Sequence, residues 1–393
     1  MSTNTTGSGT MQTEATLTFG EAMSIIVGHG VGSGILAVPY LASRNSWRDI
    51  LLILAVCYAI NLLLHFMIAE LSFNNGGAQF IKCFERELFS GKAGKILTWA
   101  AFAFLGLSVL VNVSGFIAGS AAVFSTWFGL PSRAGMILYY VLASLVVFFG
   151  MKIVGVCEKI SVFAMVAVIA ILLGATLLKA RNAMVNTFIA PTNLIALYST
   201  IAFSLSAVMS TPQVVKGLSG DAKKIRGAIA AGTGINAALL LLITFMTLLG
   251  AGSKITQNGA LVDLADVLGG WVGVIGFIFS LLALSTSFWA NTLNLRDIFH
   301  EQFGLPNRVS YLACSLPCLV IAMLGLQSFV GFTRLAGVVQ ILTGIGVIIA
   351  YHRSRKRVLN GNPVCGRFGS LAFEILVIAG SILSTVGAVL PVK

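Results

Sequence analysis

The sequence is short of charge. Only 10% of its 393 residues are Asp, Glu, Lys or Arg, and 13 are acidic, against about a quarter charged in an ordinary soluble domain. A soluble chain of this length would form two or three domains, each needing a charged skin that this composition cannot supply. Six cysteines are too sparse for a disulfide framework. The four histidines and few acids show no pair at metal-ligand or acid/base spacing, which argues against a membrane-embedded enzyme. There is no Walker motif to power transport by nucleotide hydrolysis on this chain. What the sequence has is apolar: 57% hydrophobic residues and a mean hydropathy of +0.94, which excludes disorder. The net charge of +12 leaves one question, whether it marks a nucleic-acid surface or is spread among membrane loops.

A hydrocarbon core of about 30 Å takes roughly 20 apolar residues as helix. Charge-free stretches of about that length run at 22–43, 50–69, 96–132, 134–151, 160–178, 182–215, 227–253, 267–295, 309–333, 335–351 and 375–392. They predict eleven spans, numbered 1 to 11, and an all-α polytopic membrane protein in a lipid bilayer. Stretches 96–132 and 182–215 exceed one straight crossing and need a loop, a strong tilt or a break. The short tenth stretch begins earlier, which places Arg334 inside the membrane and in need of a partner. Residues 1–16 lack the basic start and cleavage site of a signal peptide and read as a flexible cytoplasmic tail.

With a cytoplasmic N-terminus, seventeen Lys and Arg fall on the cytoplasmic side and seven on the other, the bias of a topology signal rather than a nucleic-acid patch. The odd number of spans then leaves the C-terminus outside, in the plasma (inner) membrane. The basic cluster from His352 to Arg357 reads as a stop-transfer anchor at a helix end. Cys314 and Cys318 share a helix face, but no His or carboxylate joins them, so no metal site is expected.

Glycine placement carries more information than its amount. Span 1 contains Gly28-His29-Gly30-Val31-Gly32-Ser33-Gly34. Small residues two apart make no helix-packing face, which wants them four apart; they make an unwound segment instead. Freed backbone groups are tolerable at membrane depth only where they line a cavity or bind something. Span 6 has Phe203-Ser204-Leu205-Ser206-Ala207-Val208-Met209-Ser210-Thr211-Pro212, four hydroxyl residues ahead of a proline that disfavours helix at Thr211. Interruptions five spans apart are the pattern of a transporter built from two inverted five-helix repeats, here 17–179 and 182–353, with 368–392 as an additional transmembrane helix.

The stretch Phe19-Gly20-Glu21 through Gly32-Ser33-Gly34-Ile35-Leu36-Ala37-Val38-Pro39-Tyr40, with Ala69-Glu70-Leu71 ending span 2, resembles the amino acid/auxin permease family of the amino acid–polyamine–organocation superfamily. The resemblance covers nearly the whole chain, but its specific motifs lie in spans 1 and 6 and parts of 2 and 8. It implies the LeuT-type fold, 5+5 inverted repeats plus one helix. An unwound segment beside a half-helix N-terminus suits a carboxylate, and carbonyls at half-helix C-terminal ends suit an ammonium group or Na+. One small zwitterion satisfies both.

By the resemblance, amides of Gly32, Ser33 and Gly34 hold the α-carboxylate. Carbonyls of Gly30, Phe203 and Ser204, with the Ser206 hydroxyl, receive the amino group, and Phe203 walls the site. Asn112 in span 3 is a further candidate, set against a plain interhelical hydrogen bond. The segment Ala283-Leu284-Ser285-Thr286-Ser287 resembles the sodium-binding stretch of span 8 in sodium-coupled members of the fold; carried over, the Na+ set is Gly28, Val31, Ala283, Thr286 and Ser287. Proton coupling is the rival. Some relatives place a lysine in the middle of span 5, but Lys159 lies at its cytoplasmic end and the rest of the stretch is uncharged. His29, His65, Glu70 and Glu21 remain as protonatable groups, with Glu21 and Glu70 also readable as partners of a cytoplasmic Lys or Arg.

A metal transporter of this fold would need a carboxylate or Asn in span 1 and a soft ligand in span 6, where Met209 stands alone. The function expected is secondary active import of a neutral amino acid by sodium symport through alternating access, with no cofactor beyond the coupling ion, Na+ or H+. A proton-coupled permease, with an aromatic substrate among its options, is the alternative.

Overall fold

The computed structural model describes residues 16–31, 34–89, 91, 93–179, 191–252, 255–256, 260–325, 344–358 and 363–390. Every regular element among them is helical. They are α1 (Phe19–Gly30), α2 (Gly34–Ala42), α3 (Trp47–Asn74), α4 (Phe80–Glu87), α5 (Gly94–Phe128), α6 (Ser132–Phe148), α7 (Met151–Lys179), α8 (Pro191–Ser204), α9 (Thr211–Gly217), α10 (Ala222–Ala251), α11 (Ala260–Leu268), α12 (Trp271–Phe303), α13 (Asn307–Met323), α14 (344–357) and α15 (Leu371–Val389).

Seven stretches, Trp47–Asn74, Gly94–Phe128, Met151–Lys179, Asn193–Gly217, Ala222–Ala251, Trp271–Phe303 and Leu371–Ala388, are each long and apolar enough to cross a membrane. The α1–α2 pair makes an eighth, its two axes bent by 52°. Ser132–Phe148 and Asn307–Met323 are shorter apolar helices, and α14 covers the described end of the tenth stretch. Large apolar side chains such as Leu107, Phe163, Leu178 and Val320 stand exposed, as expected of a surface that meets hydrocarbon rather than water.

One long stretch resolves as a helix followed by a loop, and one boundary moves. The 96–132 stretch holds one unbroken helix of 35 residues, α5, and the chain turns only at Gly129, whose φ of 63° is left-handed. Span 5 begins at Met151, well before the charge-free window at 160.

Local signals set the helix starts. Thr18 and Glu21 form a reciprocal capping box at α1, and Glu21 also pairs with Lys152 of α7 at 2.6 Å. Ser46 caps α3, and Asp221 caps α10 by accepting the Lys224 amide at 3.1 Å. Helix α1 packs on α7, α10 and α12. The approach is close because a β-carbon at Gly155 would sit 2.8 Å from Leu17 Cδ2, and one at Gly232 would sit 2.7 Å from Ile26 Cβ. Helix α15 lies on α8, where the Tyr198 hydroxyl donates to the Gly380 carbonyl at 3.1 Å and Ser199 to that of Ser384 at 2.6 Å.

Candidate functional site

The two expected interruptions meet. Helix α1 ends at Gly30 and α2 starts at Gly34; Gly32 and Ser33 lie outside the described residues. The sixth span divides into α8, ending at Ser204, and α9, starting at Thr211, with one 3-10 turn over Val208–Ser210 between them. A β-carbon on Gly30 would overlap the Asn236 side-chain amide of α10 and stand 3.4 Å from the Ser204 carbonyl oxygen. Gly30 and Ser204, chosen from sequence as amino-group ligands, are therefore neighbours, with Asn236 as an unforeseen third member. Asn236 donates to the Ile26 carbonyl at 3.1 Å and so holds α1 one turn before its end. Phe203 is 38% exposed. The Ser204 hydroxyl is committed to the Thr200 carbonyl at 2.7 Å, which leaves the Ser204 carbonyl as its useful group; the Ser206 amide bonds the Phe203 carbonyl at 3.0 Å.

The geometry of a double break creates its own polarity. The C-terminal end of α1 carries a partial negative charge and the N-terminus of α2, beginning at Gly34, a partial positive one. A guest with an ammonium and a carboxylate matches that pair of ends.

The histidines occupy structural places at the breaks. The Ala207 amide, in the unwound part of span 6, donates to His65 Nε2 at 2.9 Å. The opposite ring nitrogen, Nδ1, must then carry the proton it gives to the Asn61 carbonyl at 2.5 Å. His29 Nδ1 meets the Ser210 hydroxyl at 2.7 Å and ties the last turn of α1 to span 6. Glu21 pairs with Lys152 as one of its expected readings had it. Glu70 pairs with no cation among the described residues; it is fully buried, and its Oε2 accepts the backbone amides of Val364 at 2.6 Å and Cys365 at 3.0 Å. It fastens α3 to the segment leading into α15. Asn112 makes the plain interhelical bond, donating to Asn291 Oδ1 of α12 at 3.3 Å, while Asn291 donates to the Ser287 carbonyl at 2.8 Å. Arg334 lies outside the described residues.

Of the expected Na+ set, Gly28 and Thr286 are adjacent, a β-carbon on Gly28 lying 3.0 Å from Thr286 Cβ. Thr286 donates to the Ala283 carbonyl at 3.2 Å, leaving its oxygen lone pairs free. The Ser287 hydroxyl is buried and has no partner among the described residues. Val31 is buried, with its amide on the Val27 carbonyl at 2.8 Å. The same β-carbon on Gly28 would overlap Glu158 Oε2 of α7. Glu158 was missed in the sequence because the charge-free window starts after Lys159. Its only signal was a carboxylate that a helix begun seven residues earlier would carry inward. A separate cavity walled by Phe124, Tyr139, Leu142, Ala143, Leu281, Ser285 and Trp289 includes none of the residues expected at the breaks.

Two broken helices apposed within an all-helical, membrane-spanning bundle define a LeuT-type transporter fold. Solved structures agree: the crystal structure of MhsT in complex with L-phenylalanine matches with a TM-score of 0.70 at 13% identity, covering 96% of this chain and 100% of that one. Mhp1, a nucleobase-cation-symport-1 family transporter in a closed conformation with bromovinylhydantoin bound, matches at 0.65 and 14%, over 96% and 92%. The chain belongs to the tryptophan/tyrosine permease family, whose model matches residues 16–386. A relative from Haemophilus influenzae described as tyrosine-specific transport system 2 is 28% identical over 364 residues, covering 81% of this chain and 83% of that protein. The chain is an integral membrane amino acid transporter. This family is a different, though related, one from the amino acid/auxin permeases suggested by span 1: the glycine-rich break belongs to the shared fold and does not separate its families.

Proposed function

We propose that this protein imports an aromatic amino acid, tyrosine or tryptophan, by symport with a monovalent cation across the plasma (inner) membrane, its N-terminus in the cytoplasm and its C-terminus outside. The observation that carries this is the apposition of Gly30, Ser204 and Asn236 at two helix breaks in a member of the tryptophan/tyrosine permease family. The substrate zwitterion lies across the breaks, its carboxylate toward the N-terminus of α2 and its amino group toward the Gly30, Phe203 and Ser204 carbonyls, with Gly32 and Ser33 contributing amides. Alternating access follows from rocking a bundle of spans 1, 2, 6 and 7 against the rest, within repeats taken as 17–179 and 182–353. Ion and substrate drive the cycle only if together they favour the occluded state.

The sodium reading is supported by the contact of Gly28 with Thr286 and the unpartnered Ser287 hydroxyl. The proton reading gains from Glu158, a buried carboxylate at the same place. The deciding experiment is uptake of labelled amino acids into proteoliposomes. Tyrosine and tryptophan should compete with labelled tyrosine at least about tenfold better than alanine, a difference of ~1.4 kcal/mol in binding. No uptake and no exchange of any amino acid would refute the proposal. If sodium is the ion, combining Thr286→Ala with Ser287→Ala abolishes Na+-stimulated uptake.

A further inference from the structure

Glu158 is 0% exposed, and neither of its carboxylate oxygens has a partner among the described residues. An ionised carboxylate withdrawn from water without compensation is strongly disfavoured. The charges on the neighbouring elements are committed elsewhere or lie at helix ends. On α1, Glu21 is paired with Lys152 and His29 with Ser210. On α12, Arg296 and Asp297 pair with each other at 2.6 Å, and His300 bonds the Leu305 carbonyl at 2.6 Å. The basic residues Lys223, Lys224 and Arg226 of α10 and Arg133 of α6 stand at the starts of their helices. Helix α11 carries only acids, of which Asp263 holds Thr256. On α7 itself, Lys159 runs its methylenes along Gly20, and Cys157 is a free thiol.

The surroundings add more negative character. Glu158 presses on Gly28, which lies in the last turn of α1, where the helix carbonyls present about half a negative charge. A carboxylate against a helix C-terminus is a like-sign contact that a cation reverses, since both groups then become its ligands. Thr286 supplies a neutral oxygen on α12 beside the same glycine, and the next residue, Ser287, carries a buried hydroxyl with no partner among the described residues.

We propose that the Glu158 carboxyl is the seat of the coupling cation, joining α7 to the last turn of α1 and to α12. This rests on the transport reading above and adds a residue to its ion site. With the cation in place α1 is drawn to α7; without it, repulsion between the carboxylate and the end of α1 favours separation. Gly28 and Gly30 share one turn of α1, so the same displacement shifts the substrate site. That gives ion and substrate a common element whose position both bias.

The test uses the purified full chain in proteoliposomes, wild type and Glu158→Gln, with labelled L-tyrosine. Accumulation is measured under a Na+ gradient at fixed pH and under a pH gradient in sodium-free choline buffer. Exchange against internal unlabelled tyrosine is measured with no gradient. The gradient that drives the wild type identifies the cation. Glu158→Gln removes the repulsion together with the cation's ligand, so accumulation is expected to fall by about tenfold or more and exchange to become independent of the driving cation. Accumulation at the wild-type level overturns the proposal. Should Glu158→Gln not fold, Glu158→Asp replaces it, and the half-saturating Na+ concentration or the pH midpoint should move by about threefold or half a unit with exchange retained; an unmoved value overturns the proposal. Loss of exchange along with accumulation in every folded variant also overturns it, placing Glu158 in substrate binding or folding. Wild-type protein that neither accumulates nor exchanges any amino acid instead refutes the transport reading itself.

Discussion

Glycine is the smallest residue at two places where its smallness does different things. Gly28→Ala would improve helix propensity by about 1 kcal/mol, but the added methyl overlaps the Glu158 carboxylate, and overpacking of that kind costs ~1–3 kcal/mol. The overlap should win, with a lower melting temperature and lost gradient-driven uptake. Gly106→Ala is the control: nothing lies within 4 Å of a β-carbon there, so melting should be unchanged or slightly raised. His65 gives a second prediction. Replacing it with Leu leaves the buried Ala207 amide without its acceptor, a loss of about 1–3 kcal/mol. Substrate exchange should weaken along with stability, because the same bond shapes the break; a stability loss with unchanged exchange would show that the break does not need it. At this scale the sequence was only partly legible. Gly30, Ser204 and Thr286 could be chosen because their types announce a broken helix or a hydroxyl ligand. Glu158, Asn236 and the role of His65 could not, because each acts through a contact with a helix far away in the chain.

The helices form a simpler story, since a span is a property of contiguous residues. The break in span 6 follows from hydroxyl residues ahead of Pro212, and the break in span 1 from glycines on alternate positions. The 96–132 stretch resolves as a helix followed by a loop: hydropathy measures whether a segment tolerates lipid, while the end of the helix depends on where a turn residue sits, here Gly129 near the far end. A packing prediction belongs to this level. A β-carbon at Gly387 of α15 would overlap the Ile195 carbonyl of α8 and approach Ser199 Cβ to 2.7 Å. Gly387→Val should therefore lift α15 from α8, break the Ser199–Ser384 bond, and lower the melting temperature by several degrees. An unchanged melting temperature would show that α15 is not clamped to the first half of span 6.

For the molecule as a whole, orientation is the property most open to direct measurement. Lys356→Cys, in the basic cluster after α14 begins to leave its apolar run, should react with a membrane-impermeant thiol reagent only from the cytoplasmic side. The substitution is made in a Cys157→Ser background, because Cys157 is a half-buried free thiol near the start of α7, whereas burial pushes the thiols of Cys83 and Cys365 up. Labelling from the outside alone would invert the proposed topology.

Helix α5 also acts as a ruler. Its exposed tryptophans, Trp99 and Trp127, are 28 positions apart, about 42 Å along the axis. Each belongs to an aromatic cluster, Trp99 with Phe102 and Phe303, and Trp127 with Phe277. Tryptophan favours the headgroup layer, and the distance matches the roughly 40–45 Å between the outer limits of a bilayer. The helix must then stand close to upright, with little tilt left to adjust, so transport in vesicles of progressively shorter acyl chains should decline as the lipid becomes thinner than the spacing of these two rings.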